Sequence, residues 1–194
     1  MNAELTKYGF FWVPGNEFQE LVLSWKKKAE RIEPDAVYLH HPAHATLFLF
    51  YGEKQKEDEY ISLIEKKVPI FKSAEWLVFE NDAVTGGDTL TIGLEKTEDW
   101  ELLQLNLAEG LKPYILKLIE YPNEWNGPFK ISYQNYGFPF VGKHWLPHVS
   151  IASFKNKSFI QEAVDTPIKI NEINCGELAL YRIEGETHTR IYAS

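Results

Sequence analysis

This 194-residue chain has little sulfur, no excess of positive charge and no long apolar run, and each shortage removes a class of function. Its single cysteine, Cys175, leaves no intramolecular disulfide and no cysteine-based zinc site, and reads as a small buried side chain. The formal net charge of -8 argues against a grip on long nucleic acid, because such binding is dominated by phosphate neutralisation. A small or terminal phosphoester stays compatible with it. No run approaches the length of a membrane span, and residues 1–14 lack the basic start and apolar stretch of a signal peptide. The expected location is the cytoplasm. No G-x-S-x-G elbow supports a serine hydrolase, and Gly86-Gly87 fits a hairpin turn better than a phosphate-cradling loop.

What is present is an alternation of strands and helices at single-domain length. Aromatic residues 7–13 read as a strand, and a helix follows with Phe18, Leu21, Val22 and Trp25 at helical spacing. The Lys26-Lys27-Lys28 run is expected as its solvated end, where cations favour the negative pole of the helix dipole. Residues 36–39 suggest a short strand, and 45–51 a central one. An acidic helix is expected over 57–67, opened by Glu57-Asp58-Glu59, then strands over 74–80 and 89–94. A helix over 99–118 would place Trp100, Leu103, Leu107, Leu111 and Ile115 on one face. Residues 121–140, dense in Pro, Asn, Gly and aromatics, read as a long irregular connection. Strands over 148–154, 168–173, 177–183 and 188–192, with a short helix near 159–164, complete the chain.

Two runs carry chemistry: His44-Ala45-Thr46-Leu47 and His148-Val149-Ser150-Ile151. In a strand, side chains alternate with period two, so His44 shares a face with Thr46, and His148 with Ser150. Histidine titrates near neutral pH, so one imidazole can take a proton from water while the other gives one to a leaving oxygen. The two hydroxyls can donate hydrogen bonds to non-bridging phosphate oxygens, where charge grows as phosphorus becomes pentacovalent. One H-x-[ST] among six histidines is expected by chance. Two copies, each opening an apolar strand just after a proline, Pro42 or Pro147, are a stronger signal.

The paired runs resemble the signature of the 2H phosphoesterase superfamily, which includes the LigT-like RNA ligase and cyclic phosphodiesterase proteins. Outside the runs, the match is one of element order. The resemblance implies an α+β bilobal fold in which two antiparallel sheets with outer helices enclose a central cleft. Residues 1–194 would form one bilobal domain of two pseudo-symmetric lobes, each contributing one H-x-[ST] strand. By carry-over, His44 and His148 are the acid/base pair, and Thr46 and Ser150 bind the substrate phosphate. Which histidine is the acid is left open. Ser150 stands where threonine is more usual, and the first run follows the extra histidines His40 and His41.

The function expected is metal-independent hydrolysis of 2',3'-cyclic phosphates of nucleotides or RNA ends, with no cofactor, no membrane partner and a monomeric protein. The alternatives are hydrolysis of 2',5'-oligoadenylate or another small phosphoester, and a non-catalytic nucleotide- or RNA-binding module. Without a nucleotidyl-transfer lysine motif, ligase activity would be at most a reversal of cleavage. Metal ligation by His40, His41 and His44 is disfavoured by the lack of a suitably spaced carboxylate. His144 reads as a surface histidine. Between Lys130 and Lys157 there is no acid, so Lys130, Lys143, Lys155 and Lys157 form either an anionic-substrate entrance or a solvated edge. Among Tyr133, Tyr136, Phe138, Phe140 and Trp145, one or two are expected to stack a base; Lys143, Tyr136 and Trp145 are the candidates for substrate contact.

Overall fold

The computed structural model describes residues 5–64, 67–82, 84–121, 125–155, 157–170, 173, 176–185 and 187–194. Cys175 lies outside them. Seven strands run in the order β3-β4-β5-β2-β1-β6-β7, every neighbouring pair antiparallel. They are β1 (Leu5–Pro14), β2 (Ala45–Glu53), β3 (Ala74–Asp82), β4 (Gly87–Leu94), β5 (His148–Phe154), β6 (Gly176–Glu184) and β7 (Thr187–Ala193). The helices are α1 (Asn16–Ile32), α2 (Glu57–Ser62), α3 (Glu98–Leu111), α4 (Gly127–Tyr136) and α5 (Ser158–Val164).

Period-two alternation gives the sheet two unlike faces. On β1, Tyr8, Phe10 and Trp12 point into the main core, while Phe11 points to the other face and joins a small cluster with Ala179 and Tyr181. Helix α1 meets the core with Phe18, Val22, Trp25 and Ala29, spaced as one helical stripe. Helix α3 adds Trp100, Leu103, Leu107 and Leu111, and α5 adds Phe159 and Ala163 to the same buried cluster. The helical layer therefore covers one face, and the Phe11 face is left with a thinner apolar cover.

Where two sheets were expected, the strands form one continuous order with a narrow waist. Among the described residues, strands β3-β4-β5 and β2-β1-β6-β7 are joined by the single pair Ala45↔Val149. Nor do these groups follow chain order, because β6 and β7 return to β1 beside the N-terminal strands.

Several elements differ from the sequence reading for identifiable reasons. Helix α3 stops at Leu111, since Pro113 lacks an N–H and its ring crowds the preceding turn. The chain then pairs Lys117 with Tyr51 of β2. Residues 36–39 make one bridge, Val37↔Ser153, and Tyr38 next to it has φ 73°, which breaks a strand. The connection 121–140 contains α4, with Pro128 in its first turn and Gly137 ending it at φ 67°. Residues 168–170 have no regular structure; 171 and 172 lie outside the described residues. The lysine run is in the middle of α1, with Lys27 and Lys28 exposed and Lys26 buried. Helix α2 is short, and Glu57 does more than open it: its carboxylate accepts both Nε and Nη2 of Arg182 at 2.5 and 2.7 Å and the Tyr8 hydroxyl at 2.8 Å.

Fully buried Gln104 on α3 ties the layers together. Its Nε2 donates to the carbonyls of Leu47 (3.0 Å) and Phe140 (2.9 Å), and its Oε1 accepts the Gly142 N–H at 2.5 Å. A buried amide with every group partnered rigidifies its surroundings, and losing it strands all three backbone partners. The variant Gln104→Leu should lose about 2–4 kcal/mol of stability, read as a lower urea midpoint at unchanged m-value. An unchanged midpoint would show that the three bonds have no net weight.

Candidate active site at the sheet waist

Each histidine run opens a strand at the waist. Ala45 and Val149, the one residue pair joining β2 to β5, are fully buried on the core face. Their neighbours therefore point to the opposite face, where His44, Thr46, His148 and Ser150 are all half-buried. Continuing the antiparallel register by one residue each way sets His44 opposite Ser150 and Thr46 opposite His148. On that register an imidazole of one strand faces a hydroxyl of the other, twice. Among the described residues, neither hydroxyl is engaged in a hydrogen bond to protein, so both are available to a ligand.

The two runs also share a backbone device that the sequence does not display. On β1 and β2, Phe10 pairs with Phe48 but Phe11 with Thr46, so Leu47 is an extra residue. On β4 and β5, Leu90 pairs with Ala152 but Thr91 with Ser150, so Ile151 is extra. A bulge therefore sits at the fourth residue of each run. Bulges bend a strand, increase its twist and re-aim its side chains, and here they let Leu47 and Ile151 stay in the core beside Phe48 and Ala152.

Both imidazoles are oriented alike. The His44 Nδ1 lies 2.8 Å from the Pro42 carbonyl and the His148 Nδ1 2.8 Å from the Leu146 carbonyl. A carbonyl accepts only, so Nδ1 carries the proton in the neutral ring and Nε2 presents a lone pair. Their surroundings differ. The His44 ring packs on Phe11 at 4.1 Å between centroids and beside His188 at 5.7 Å, with His41 a further 5.0 Å from His188. Gly9 makes room for Phe11, since a Cβ there would fall 2.3 Å from the ring. The His148 ring meets the edge of Phe79 at 4.9 Å and feels the carboxylate of Asp82.

These settings act on the two proton affinities. Desolvation pushes His44 down to about 3; the Pro42 carbonyl opposes this, while nearby His188, His41 and Lys26 reinforce it. Desolvation also lowers His148, opposed by the Leu146 carbonyl and the Asp82 charge. Tyr38, at the left-handed position of the loop before β2, is raised by burial and then by the same Asp82.

Other sequence candidates fall elsewhere. Trp145 is 1 % exposed, packs against Trp100 and donates from Nε1 to the Thr46 carbonyl at 2.7 Å, which makes it a strut of the core. Tyr136 bonds Glu109 on α3 at 2.5 Å and packs, with Phe138 and Phe140, against the helical core. Tyr133 donates to the Ile119 carbonyl at 2.8 Å. The aromatics beside the paired histidines are instead Phe11 and Phe79, with Tyr38 against His41, and spacing alone distinguishes none of them from core residues. Lys143 is exposed on the turn before β5, and Lys157 is paired with Asp88 at 2.9 Å. His40 is exposed, and His144 packs on Phe129 at 5.8 Å. Among the described residues, no group of three or more His, Cys, Asp or Glu is placed to hold a metal ion, and no helix is long and apolar enough to cross a membrane. A cavity of about 270 Å³ lies behind Leu47, between β1 and α3, lined by neither His44 nor His148.

No protein-family model matches the sequence, and no curated protein matches it. Solved structures do. The chain is similar to Escherichia coli LigT complexed with 3'-AMP, with 14% identity, a TM-score of 0.52 and 98% of each chain covered. It also aligns with the crystal structure of a phosphoesterase at 14% identity and a TM-score of 0.48, again over 98% of each chain. At that identity the likeness is one of fold, and the fold is LigT-like.

A histidine held below its ordinary pKa in the folded chain makes the unfolded chain the better proton binder. Stability is then full above about pH 6.5 and is lost as pH falls toward the folded values. Between pH 6.5 and 5, His44 should cost at most about 2 kcal/mol, and roughly half that given the ring's partial solvent contact. The urea midpoint should fall over this window, and His44→Gln should flatten the decline. A wild-type midpoint constant from pH 7 to 5 would contradict the desolvated setting.

Proposed function

We propose that this protein is a metal-independent phosphodiesterase that hydrolyses 2',3'-cyclic phosphates of nucleotides or RNA ends with two histidines as acid and base. The observation that carries this reading is the Ala45↔Val149 pair, whose antiparallel register, continued by one residue each way, sets His44 opposite Ser150 and Thr46 opposite His148. A phosphate centred over the waist has a proton-transfer group on either side and a hydroxyl donor beside each. The LigT fold and the nucleoside monophosphate bound to that structural relative support a nucleotide-sized substrate.

The electrostatic asymmetry supports one division of roles. His44, with His188, His41 and Lys26 all opposing its charge, is read as the base; His148, with the Asp82 carboxylate favouring its charged form, is read as the acid. In the step, water oxygen attacks phosphorus as one water proton passes to His44 Nε2. The bond from phosphorus to one ribose oxygen breaks, and that oxygen takes the proton from His148 Nε2. A phosphomonoester and a free hydroxyl result, and the base and acid exchange protons with solvent before the next turnover. Thr46 and Ser150 donate to the non-bridging oxygens as charge grows there.

The test is hydrolysis of the four 2',3'-cyclic mononucleotides and a 2',5'-linked oligoadenylate in excess EDTA. His44→Ala and His148→Ala should each lower kcat by about 10²–10⁴-fold, and Thr46→Val or Ser150→Ala by about 10²-fold. The kcat/KM should decline with rising pH, starting below the ordinary histidine range, because free His148, whose proton affinity burial lowers, loses its proton. Turnover that persists in both histidine variants would refute the proposal. Nucleotide binding without turnover would favour a binding module, and preference for the oligoadenylate would redirect the substrate class.

A further inference from the structure

The approach to each histidine is organised by a lysine that the proposed chemistry does not use. Lys26, on α1, is 4 % exposed, and its Nζ donates to the carbonyls of Tyr38 and His41, the latter at 2.9 Å. Lys96, just before α3, donates from Nζ to the carbonyls of Lys143 (2.9 Å) and Trp145 (2.8 Å). His41 stands three residues before His44, and Trp145 three before His148. Each histidine in turn bonds through Nδ1 to the carbonyl two residues before it. The order lysine, clamped carbonyl, accepting carbonyl, imidazole is therefore the same on both sides of the waist, although the lysines come from unrelated places in the sequence.

Charge-assisted bonds of this kind are short and strong, and more so where water is scarce. On the first side the clamp also holds Tyr38, whose φ of 73° is costly for a residue with a Cβ and persists only where its surroundings fix it. Removing the ammonium would free that loop and, with it, the Pro42 carbonyl that selects the His44 tautomer. The clamps are not identical electrostatically. Lys96 has the Glu101 carboxylate at 3.4 Å, whereas Lys26 has no ion pair among the described residues, and its burial pulls its own affinity down to about 8. Lys26 therefore adds an unneutralised charge near His44, which Lys96 does not add near His148.

We propose that Lys26 and Lys96 are a matched pair of positioning residues, each fixing the orientation and tautomer of its own histidine through the two carbonyls it clamps. The proposal rests on the two-histidine reading for its consequence in turnover but not for its geometry. It is tested with Lys26→Met and Lys96→Met, each beside its arginine counterpart, by nitrogen-15 NMR of the histidine rings together with kcat, KM and the pH profile on a 2',3'-cyclic mononucleotide. The expected pattern is crossed. Lys26→Met should turn the His44 ring to a mixed tautomer and raise its titration only slightly, since burial is the main cause that lowers it and Lys26 the smallest, leaving His148 unchanged. Lys96→Met should mix the tautomers of His148 alone, with little change in its titration. Both should lower kcat by about 10–100-fold with KM within about threefold, following the cost of misplaced catalytic groups. The arginine variants, which keep charge and donors, should retain the fold and recover part of the loss.

Unchanged tautomers in both methionine variants would overturn the proposal, as would equal disturbance of both histidines by either one. If a methionine variant does not fold, the arginine variant decides: it must shift the ring signals of its own histidine and not those of the other. A wild-type protein with the expected ring tautomers but no turnover would sink the phosphodiesterase reading and leave the clamps intact, so the two failures are told apart.

Discussion

The structure depends on a single point of contact between two groups of strands, the pair Ala45↔Val149. Longer pairing would close β2 against β5 and bring the polar side chains on their outer face together. With one pair, the strands meet and then diverge, so His44, Thr46, His148 and Ser150 are gathered at the place where the face begins to open. So narrow a junction needs support from the core side. Trp145 supplies it by bonding the Thr46 carbonyl, Gln104 by bonding the Leu47 carbonyl and the 140–142 turn, and Ser153 by bonding the Val37 carbonyl at 3.0 Å.

Around this waist, the two halves repeat a set of local solutions: a clamped approach loop, an Nδ1 bond to the carbonyl two residues back, a His-x-hydroxyl run and a bulge at the following aliphatic residue. The repetition fixes where the rings stand. It does not make them chemically alike, because their neighbours are not repeated. His44 lies on Phe11 among His188, His41 and Lys26, while His148 lies against Phe79 within reach of the Asp82 field. A symmetric frame with asymmetric surroundings suits a reaction that needs one proton taken and another given.

The strands were legible because their signals are local. An aromatic run marked β1 and an apolar and aromatic run β2, and the start of β5 at His148 follows Pro147 directly. Pro113 was legible too, yet the apolar spacing of Leu111 and Ile115 outweighed it in the reading of a longer helix. Pro128 and Gly137 bracket α4, although the turn-forming residues around them masked it. The aromatics after residue 130 illustrate the opposite difficulty: a ring that stacks a base and a ring that fills a core have the same composition, and Trp145 and Phe138 fill the core.

By itself the sequence determined which residues share a face within each run, since a strand turns its side chains over every residue whatever surrounds it. It thereby named an imidazole and a hydroxyl twice. Only the tertiary structure decided that the two runs meet, in what register, with bulges at Leu47 and Ile151, and that Lys26 is a buried clamp rather than one of three solvated charges. Those features arise from backbone groups far apart in the chain finding partners, and long-range pairing leaves no periodic trace in the sequence.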